Sequence, residues 1–120
     1  MGYRIDYAIG AGTVEATLSG KSSIAHATWM ARDIADEATR SAARQLLIDV
    51  RGLAERVGTL CTLVLGACTP FTDYRVAVVD STDNAPYHVF SEEAARGRGC
   101  ELRYFRDRDS AMRWLHADER

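Results

Sequence analysis

Two aspartates are the residues of this sequence best placed to do chemistry. Asp49 lies in the apolar run Gln45–Val50, and Asp80 follows a second, mostly apolar run, Tyr74–Val79. If both runs are parallel strands, the two carboxylates meet at one sheet edge, where they could hold Mg²⁺ or share a proton as acid and base. Aspartate is also common where strands turn, because its side chain caps the following backbone amides. The sequence favours this structural role. A weak metal-dependent enzyme that uses Asp49 and Asp80 is the least favoured of three hypotheses for function.

Other reactive residues lack the spacing that chemistry needs. Gly20–Ser22 looks like the end of a phosphate-binding loop, but five residues before Gly20 stands Glu15 instead of the glycine that such a loop requires. The histidines have no metal-ligand spacing, and the cysteines form no CxxC motif. These residues are His26, His88, His116, Cys61, Cys68 and Cys100. We therefore predict no cofactor, no metal and no catalytic residue.

Length and composition describe a single globular domain over residues 1–120. The chain is 47% hydrophobic with a net charge of −2, so it can build a core and has no positive surplus for nucleic acid. No apolar stretch approaches the ~20 residues that cross a bilayer, and Met1–Ile5 lacks the long apolar core of a signal peptide. The expected location is cytoplasmic, where cysteines stay reduced.

The first forty residues predict a β-hairpin and then a helix. Apolar and polar residues alternate over Tyr3–Ile9 and over Val14–Leu18. A serine then caps a helix with one apolar stripe, formed by Ile24, Ala27, Ala31, Ile34 and Ala38. Trp29 lies almost opposite this stripe, where it could anchor an interface, although a kinked helix would turn its ring into the core. If Trp29 anchors a homodimer, Trp29→Ala should give a folded monomer.

The rest of the chain predicts strands that alternate with helices. The central strand Gln45–Val50 leads through a loop at Arg51–Leu53 into a helix, and a buried strand follows at Tyr74–Asp80. A short helix at His88–Arg96, a strand at Glu101–Phe105 and a helix capped by Asp107 complete the chain. The fold class is therefore α/β, with a mixed sheet of about five strands in the order ββαβαβαβα.

The exit of the central strand is the predicted binding site, because open α/β sheets meet ligands and partners at the carboxyl ends of their strands. The candidate residues there are Asp49, Gly52, Leu53, Val57, Gly58, Thr59, Asp80 and Ser81, with Trp29 on a second surface. Gly52 would permit a turn, and a helix starting near Gly58 would offer free amides to an anion or a carbonyl. A plain loop followed by a helix explains the same residues, so both interpretations stay open.

Several of these segments resemble a known family. The strands Leu46–Val50 and Arg75–Val79 are similar to those of STAS domains, the fold of anti-sigma-factor antagonists. The segments Ala94–Gly99, Arg103–Asp107 and Ser110–Leu115 are similar to the ending of the SpoIIAA-like STAS/Sec14 proteins of bacteria. The resemblance implies a single SpoIIAA-like domain without a known set of catalytic residues.

The same resemblance bears on function. In sigma-factor antagonists, a Ser or Thr directly before the glycine at this helix start is phosphorylated by a partner kinase. Gly58 matches that glycine, but Val57 precedes it and Thr59 follows it, so the acceptor hydroxyl is missing. We therefore expect a non-enzymatic module that binds a protein partner or a second copy of itself. The alternative, which the Sec14 relation implies, is a small carrier whose apolar or lipid-like ligand would contact Leu53, Val57 and Tyr74.

Overall fold

The part of the chain that the computed structural model describes contains five strands and two helices. That part comprises residues 2–10, 12–21, 24–54, 75–80, 92–93, 96–97 and 101–117. The elements are β1 (Tyr3–Gly10), β2 (Thr13–Lys21), α1 (Ile24–Arg40), β3 (Gln45–Ala54), β4 (Arg75–Val79), β5 (Glu101–Phe105) and α2 (Arg108–His116). The helix predicted between β3 and β4 lies outside the described residues. Of the short helix predicted at His88–Arg96, the described residues 92, 93 and 96 are helical.

The strands form one mixed sheet in the spatial order β1-β2-β3-β4-β5. β1 and β2 are an antiparallel hairpin, and the strands β2, β3, β4 and β5 run parallel to one another. Parallel neighbours need a crossover connection, and α1 is the crossover from β2 to β3. The predicted α/β class and the mixed five-stranded sheet are therefore confirmed, with β3 at the centre.

The sheet buries side chains on both of its faces. The α1 side holds the larger layer, whose biggest members are Leu18, Met30, Ile34, Leu46, Ile48 and Leu53. The α2 side holds a smaller layer of Leu47, Ala77, Val79, Ala111 and Leu115. Successive residues of β3 alternate between the two layers, which explains why this run is apolar without a break. Neither α1 nor α2, the helices of the described part, has the length and apolarity that crossing a membrane requires.

β3 continues past Val50 and ends at Ala54, so the prediction of a loop at Arg51–Leu53 is wrong. β2 is also longer than predicted, and it pairs with β3 as far as Lys21 and Ala54. These backbone hydrogen bonds keep the segment extended although its sequence no longer alternates. The exit of the central strand therefore lies further along the chain than the hydrophobic pattern indicates.

A β-bulge explains why the pattern fails there. The pairing with β2 shifts by one residue between Thr17 and Ser19, so that Val50 and Arg51 together lie opposite a single residue of β2. The extra residue changes the alternation of β3 by one position. Leu53 thereby returns to the α1 side of the sheet, in the same buried layer as Val50.

The N-terminus of α2 is capped as predicted. Asp107 has an extended backbone, and its Oδ1 accepts a hydrogen bond of 2.7 Å from the backbone N–H of Ser110. The Ser110 hydroxyl donates to Oδ2 at 3.2 Å. A cap of this kind satisfies amides that have no partner within the helix, and a negative side chain also suits the positive end of the helix dipole.

We expect this cap to lose its contribution to stability in acid. The hydrogen bonds from Ser110 lower the pKa of the Asp107 carboxyl below its ordinary value of 3.8, because they favour the charged form. The stabilisation is therefore complete above the pKa of the unfolded chain and is lost as the pH falls through the lowered pKa of the folded state. Asp107→Asn keeps a capping side chain that does not titrate. Urea unfolding at several pH values should show the stability difference between the two proteins shrinking below pH 3.8, and a constant difference would contradict the prediction.

Candidate interaction site at the carboxyl end of β3

The centre of the site is an ion pair formed within β3. The carboxylate of Asp49 is buried, and Arg51 donates three hydrogen bonds to it. The Arg51 backbone N–H and Nε each lie 3.1 Å from Oδ1, and Nη2 lies 2.8 Å from Oδ2. The guanidinium and the carboxylate thus form a bidentate ion pair, which is stronger than a pair joined by a single hydrogen bond. The hydrogen bond to Asp49 is the main reason that the pKa of Arg51 is raised.

The side chain of Arg51 extends from the buried carboxylate of Asp49 to the protein surface. Its side chain is 47% exposed, whereas that of Asp49 is 11% exposed. The positive charge also acts on Asp107, after β5, where it contributes to the lowered pKa of that carboxyl. A guanidinium held by a buried acid therefore stands at the carboxyl edge of the sheet, and its charge reaches the exposed Asp107.

Asp80 directly follows the neighbouring strand β4, and the alternation of that strand predicts that its side chain faces away from Asp49. Asp49 is paired with Val79, so its side chain shares a face with Val79, and the next residue points the opposite way. The backbone N–H of Asp80 donates to the carbonyl of Phe105 at 3.0 Å, which continues the ladder. Asp80 is 1% exposed. Asp80 is thus one residue beyond the partner of Asp49 in the sheet, but we expect the two carboxylates to lie on opposite faces.

This arrangement favours an ion pair over a divalent cation. Both oxygens of Asp49 accept hydrogen bonds from Arg51, and a metal would have to displace that guanidinium. Within the described residues, no group of three or more His, Cys, Asp or Glu side chains could hold a metal ion. The chemistry that Asp49 and Arg51 can do together is recognition of a charged or hydrogen-bonding partner group.

Gly52 and Leu53 have structural positions that differ from those predicted. A Cβ on Gly52 would lie 2.9 Å from the carbonyl oxygen of Leu18, so this glycine allows close packing of β3 on β2 and does not form a turn. Leu53 is 2% exposed and belongs to the core. The remaining candidates, Val57, Gly58, Thr59 and Ser81, lie outside the described residues.

Trp29 lies on α1, which covers the face of the sheet opposite to that of Asp49. Its side chain is 64% exposed, as its position opposite the apolar stripe predicts, and the helix does not turn it into the core. The indole ring contacts the ring of His26, whose centroid is 6.2 Å away, and His26 in turn lies 5.4 Å from the ring of Tyr3. Trp29 therefore extends an aromatic row that begins on β1.

Sequence reasoning missed the role of Arg51. The hydrophobic pattern predicts a loop at this residue, because the bulge that keeps it in β3 leaves no signal in that pattern. The spacing of Asp49 and Arg51 does carry a signal, since residues two apart in an extended chain can approach each other. A strand that extends to Ala54 would therefore predict this ion pair from the sequence.

Comparisons with solved structures identify the fold. An anti-sigma factor antagonist from Mycobacterium paratuberculosis matches with a TM-score of 0.59 and 16% identity, over 95% of this chain and 94% of that chain. An uncharacterised protein with a SpoIIAA-like fold from Shewanella loihica matches with a TM-score of 0.57 and 19% identity, over 95% and 93% of the two chains. No protein-family model and no curated protein matches the sequence. The chain therefore has the SpoIIAA-like fold that its sequence resembles.

Proposed function

We propose that this chain is a non-enzymatic regulatory module that binds a protein partner at the carboxyl edge of its parallel strands. The observation that carries the proposal is the half-exposed guanidinium of Arg51, held in place by the buried carboxylate of Asp49. Arginine is enriched among the residues that dominate protein interfaces, and a preorganised arginine loses little entropy on binding. By its name, one of the similar structures is an antagonist of an anti-sigma factor, which supports a protein as the partner.

The chemistry of this edge indicates what the partner presents. Arg51 offers a cation, and the exposed Asp107 offers an anion beside it. A partner surface with an acidic side chain opposite Arg51 would complement the charge of that guanidinium. Because Val57 and Thr59 flank Gly58, we propose that binding is not switched by a phosphate directly before that glycine. The module would work in the cytoplasm.

Site-specific crosslinking in the native host tests this surface. A photoreactive residue at Thr17, which is exposed and lies opposite Asp49, leaves Arg51 intact. A second photoreactive residue at Arg44, exposed before the amino end of β3, is the matched control at the other edge. We expect one protein adduct from position 17 and none of that protein from position 44. Equal adducts from both positions, or no adduct from position 17, would contradict the proposal.

Binding measurements with the purified crosslinked partner then test the residue. Arg51→Ala should raise the dissociation constant about tenfold or more, whereas Arg44→Ala should leave it unchanged. Circular dichroism must show that both variants fold, because Arg51→Ala also leaves Asp49 without the cation that it binds. Native mass spectrometry of protein from the host distinguishes this function from that of a small-molecule carrier. A bound small molecule would add mass that is lost when the protein is denatured.

A further inference from the structure

β1 is an edge strand, and its free side can be read from its pairing with β2. Within the described sheet β1 contacts only β2. The backbone N–H of Lys21 donates to the carbonyl of Gly2 at 2.6 Å, and Gly2 stands opposite Lys21 in the register of the hairpin. Antiparallel strands alternate between hydrogen-bonded and non-bonded pairs. The even-numbered residues of β1 therefore bond to β2, and the odd-numbered residues point their N–H and C=O groups outward.

The sequence of this edge is complementary to itself. Tyr3–Arg4–Ile5–Asp6–Tyr7 reads as aromatic, cation, aliphatic, anion and aromatic. If two copies of β1 pair antiparallel about a two-fold axis at Ile5, Arg4 of each copy stands opposite Asp6 of the other. Tyr3 likewise stands opposite Tyr7. Opposite charges and aromatic pairs across strands stabilise a sheet, whereas like charges destabilise it.

The hydrogen-bond pattern agrees with this register. The outward-facing groups of Tyr3, Ile5 and Tyr7 would exchange hydrogen bonds with the second copy. Arg4 and Asp6 would then occupy the non-bonded pairs, in which Cα atoms come closest, at about 4.5 Å, and side chains interact best. Both requirements are met by the same two-fold axis.

We propose that two copies of this chain associate through their β1 strands, antiparallel about Ile5, so that their sheets become one continuous sheet. In the single chain, Arg4 and Asp6 are 76% and 56% exposed and bond to each other at 3.1 Å. Exposed ion pairs of this kind contribute little, so exchanging the one internal pair of each chain for two pairs across the strands of the dimer costs little. Proteins commonly protect an edge with charges that repel a second copy, but here the charges attract one.

The aromatic row of Tyr3, His26 and Trp29 lies over the same edge. Tyr3 contacts His26, and His26 contacts Trp29, so pairing through Tyr3 brings the second copy beside this row. Edge pairing of short strands buries little apolar surface by itself, and a stable interface needs more than about 1,000 Å². Trp29, which is 64% exposed, supplies apolar area that strand pairing lacks.

Charge reversal tests the register, with the mass of the chain in solution as the measurement. The single chain has a mass of 13.3 kDa, and we expect the wild type to show twice that mass at high concentration. Arg4→Asp gives a strand with two acids, and Asp6→Arg gives a strand with two bases. Each single variant should raise the dimer dissociation constant about tenfold or more, because two attractive pairs become repulsive. The double reversal of Arg4→Asp with Asp6→Arg restores opposite charges and should dimerise like the wild type.

Mixing the two single variants gives a sharper test. Each should dimerise only weakly alone, but together they should form a heterodimer as readily as the wild type dimerises, since each acid then meets a base. Amide hydrogen exchange checks the geometry, because the Ile5 and Tyr7 amides should become protected only in the dimer. Circular dichroism establishes that each variant folds.

A wild type that stays monomeric at every concentration, or single variants that dimerise like the wild type, would overturn the proposal. A dimer in which the odd-numbered β1 amides stay unprotected would overturn it as well. These measurements do not involve Arg51, so they succeed or fail independently of the proposed partner site.

Discussion

Replacing Leu53 by alanine should lower the free energy of unfolding by about 3 kcal/mol. The side chain is 2% exposed and packs into the layer on the α1 side of the sheet. Alanine removes the buried branched end of this side chain and leaves a cavity in the packed layer between the sheet and α1. The loss combines lost burial with lost contacts around the cavity. Urea unfolding of the ligand-free protein measures it directly.

Ile9→Ala is the matched control for this substitution. Ile9 is also an aliphatic strand residue, but it is 54% exposed on β1, so the change should stay within about 0.5 kcal/mol. The comparison also separates the core from a ligand site. If Leu53 lined a pocket for an apolar molecule, the empty protein would tolerate alanine and only the loaded protein would be weakened. A loss below about 1 kcal/mol in the ligand-free protein would therefore contradict the core position.

The parts of the fold that sequence could predict are those in which a local pattern and the tertiary environment agree. The alternation of the hairpin, the unbroken apolar run of β3 and the cap at Asp107 each follow from one period or one side-chain geometry. The exposure of Trp29 followed in the same way from its angle on the helix. In each case burial on a given face selected the residue types, so the types reveal the face.

The candidate site was harder to predict because it depends on a departure from those periods. The bulge at Val50 and Arg51 changes the face of the sheet on which every later residue of β3 lies. A single extra residue leaves no recognisable pattern in the sequence. Because of the bulge, Leu53 lies in the core and not in the predicted loop. The relative faces of Asp49 and Asp80 depend on strand register, which a sequence cannot give without knowledge of the pairing.

Replacing Gly20 by alanine should destabilise the hairpin and lower the free energy of unfolding by about 2 kcal/mol or more. Gly20 has a φ of +100°, a conformation that L side chains rarely adopt. A Cβ there would also overlap the carbonyl oxygen of Gly2 and lie 3.0 Å from the Cα of Tyr3. Relieving that overlap means moving Gly2 away, which breaks the hydrogen bond from Lys21 to its carbonyl. The substitution therefore costs backbone strain as well as a backbone hydrogen bond.

Two further glycines separate these causes. Gly12 also has a positive φ, of +77°, but open space around its Cβ position, so Gly12→Ala should show the strain alone, about 1 kcal/mol. Gly10 has neither problem, and Gly10→Ala should be neutral or slightly stabilising, because alanine loses less entropy on folding. Chemical unfolding should thus rank the three variants with Gly20→Ala the least stable and Gly10→Ala the most stable. Equal losses at Gly12 and Gly20 would mean that the close approach of Gly2 contributes nothing, and the start of β1 would then be held by the hairpin register alone.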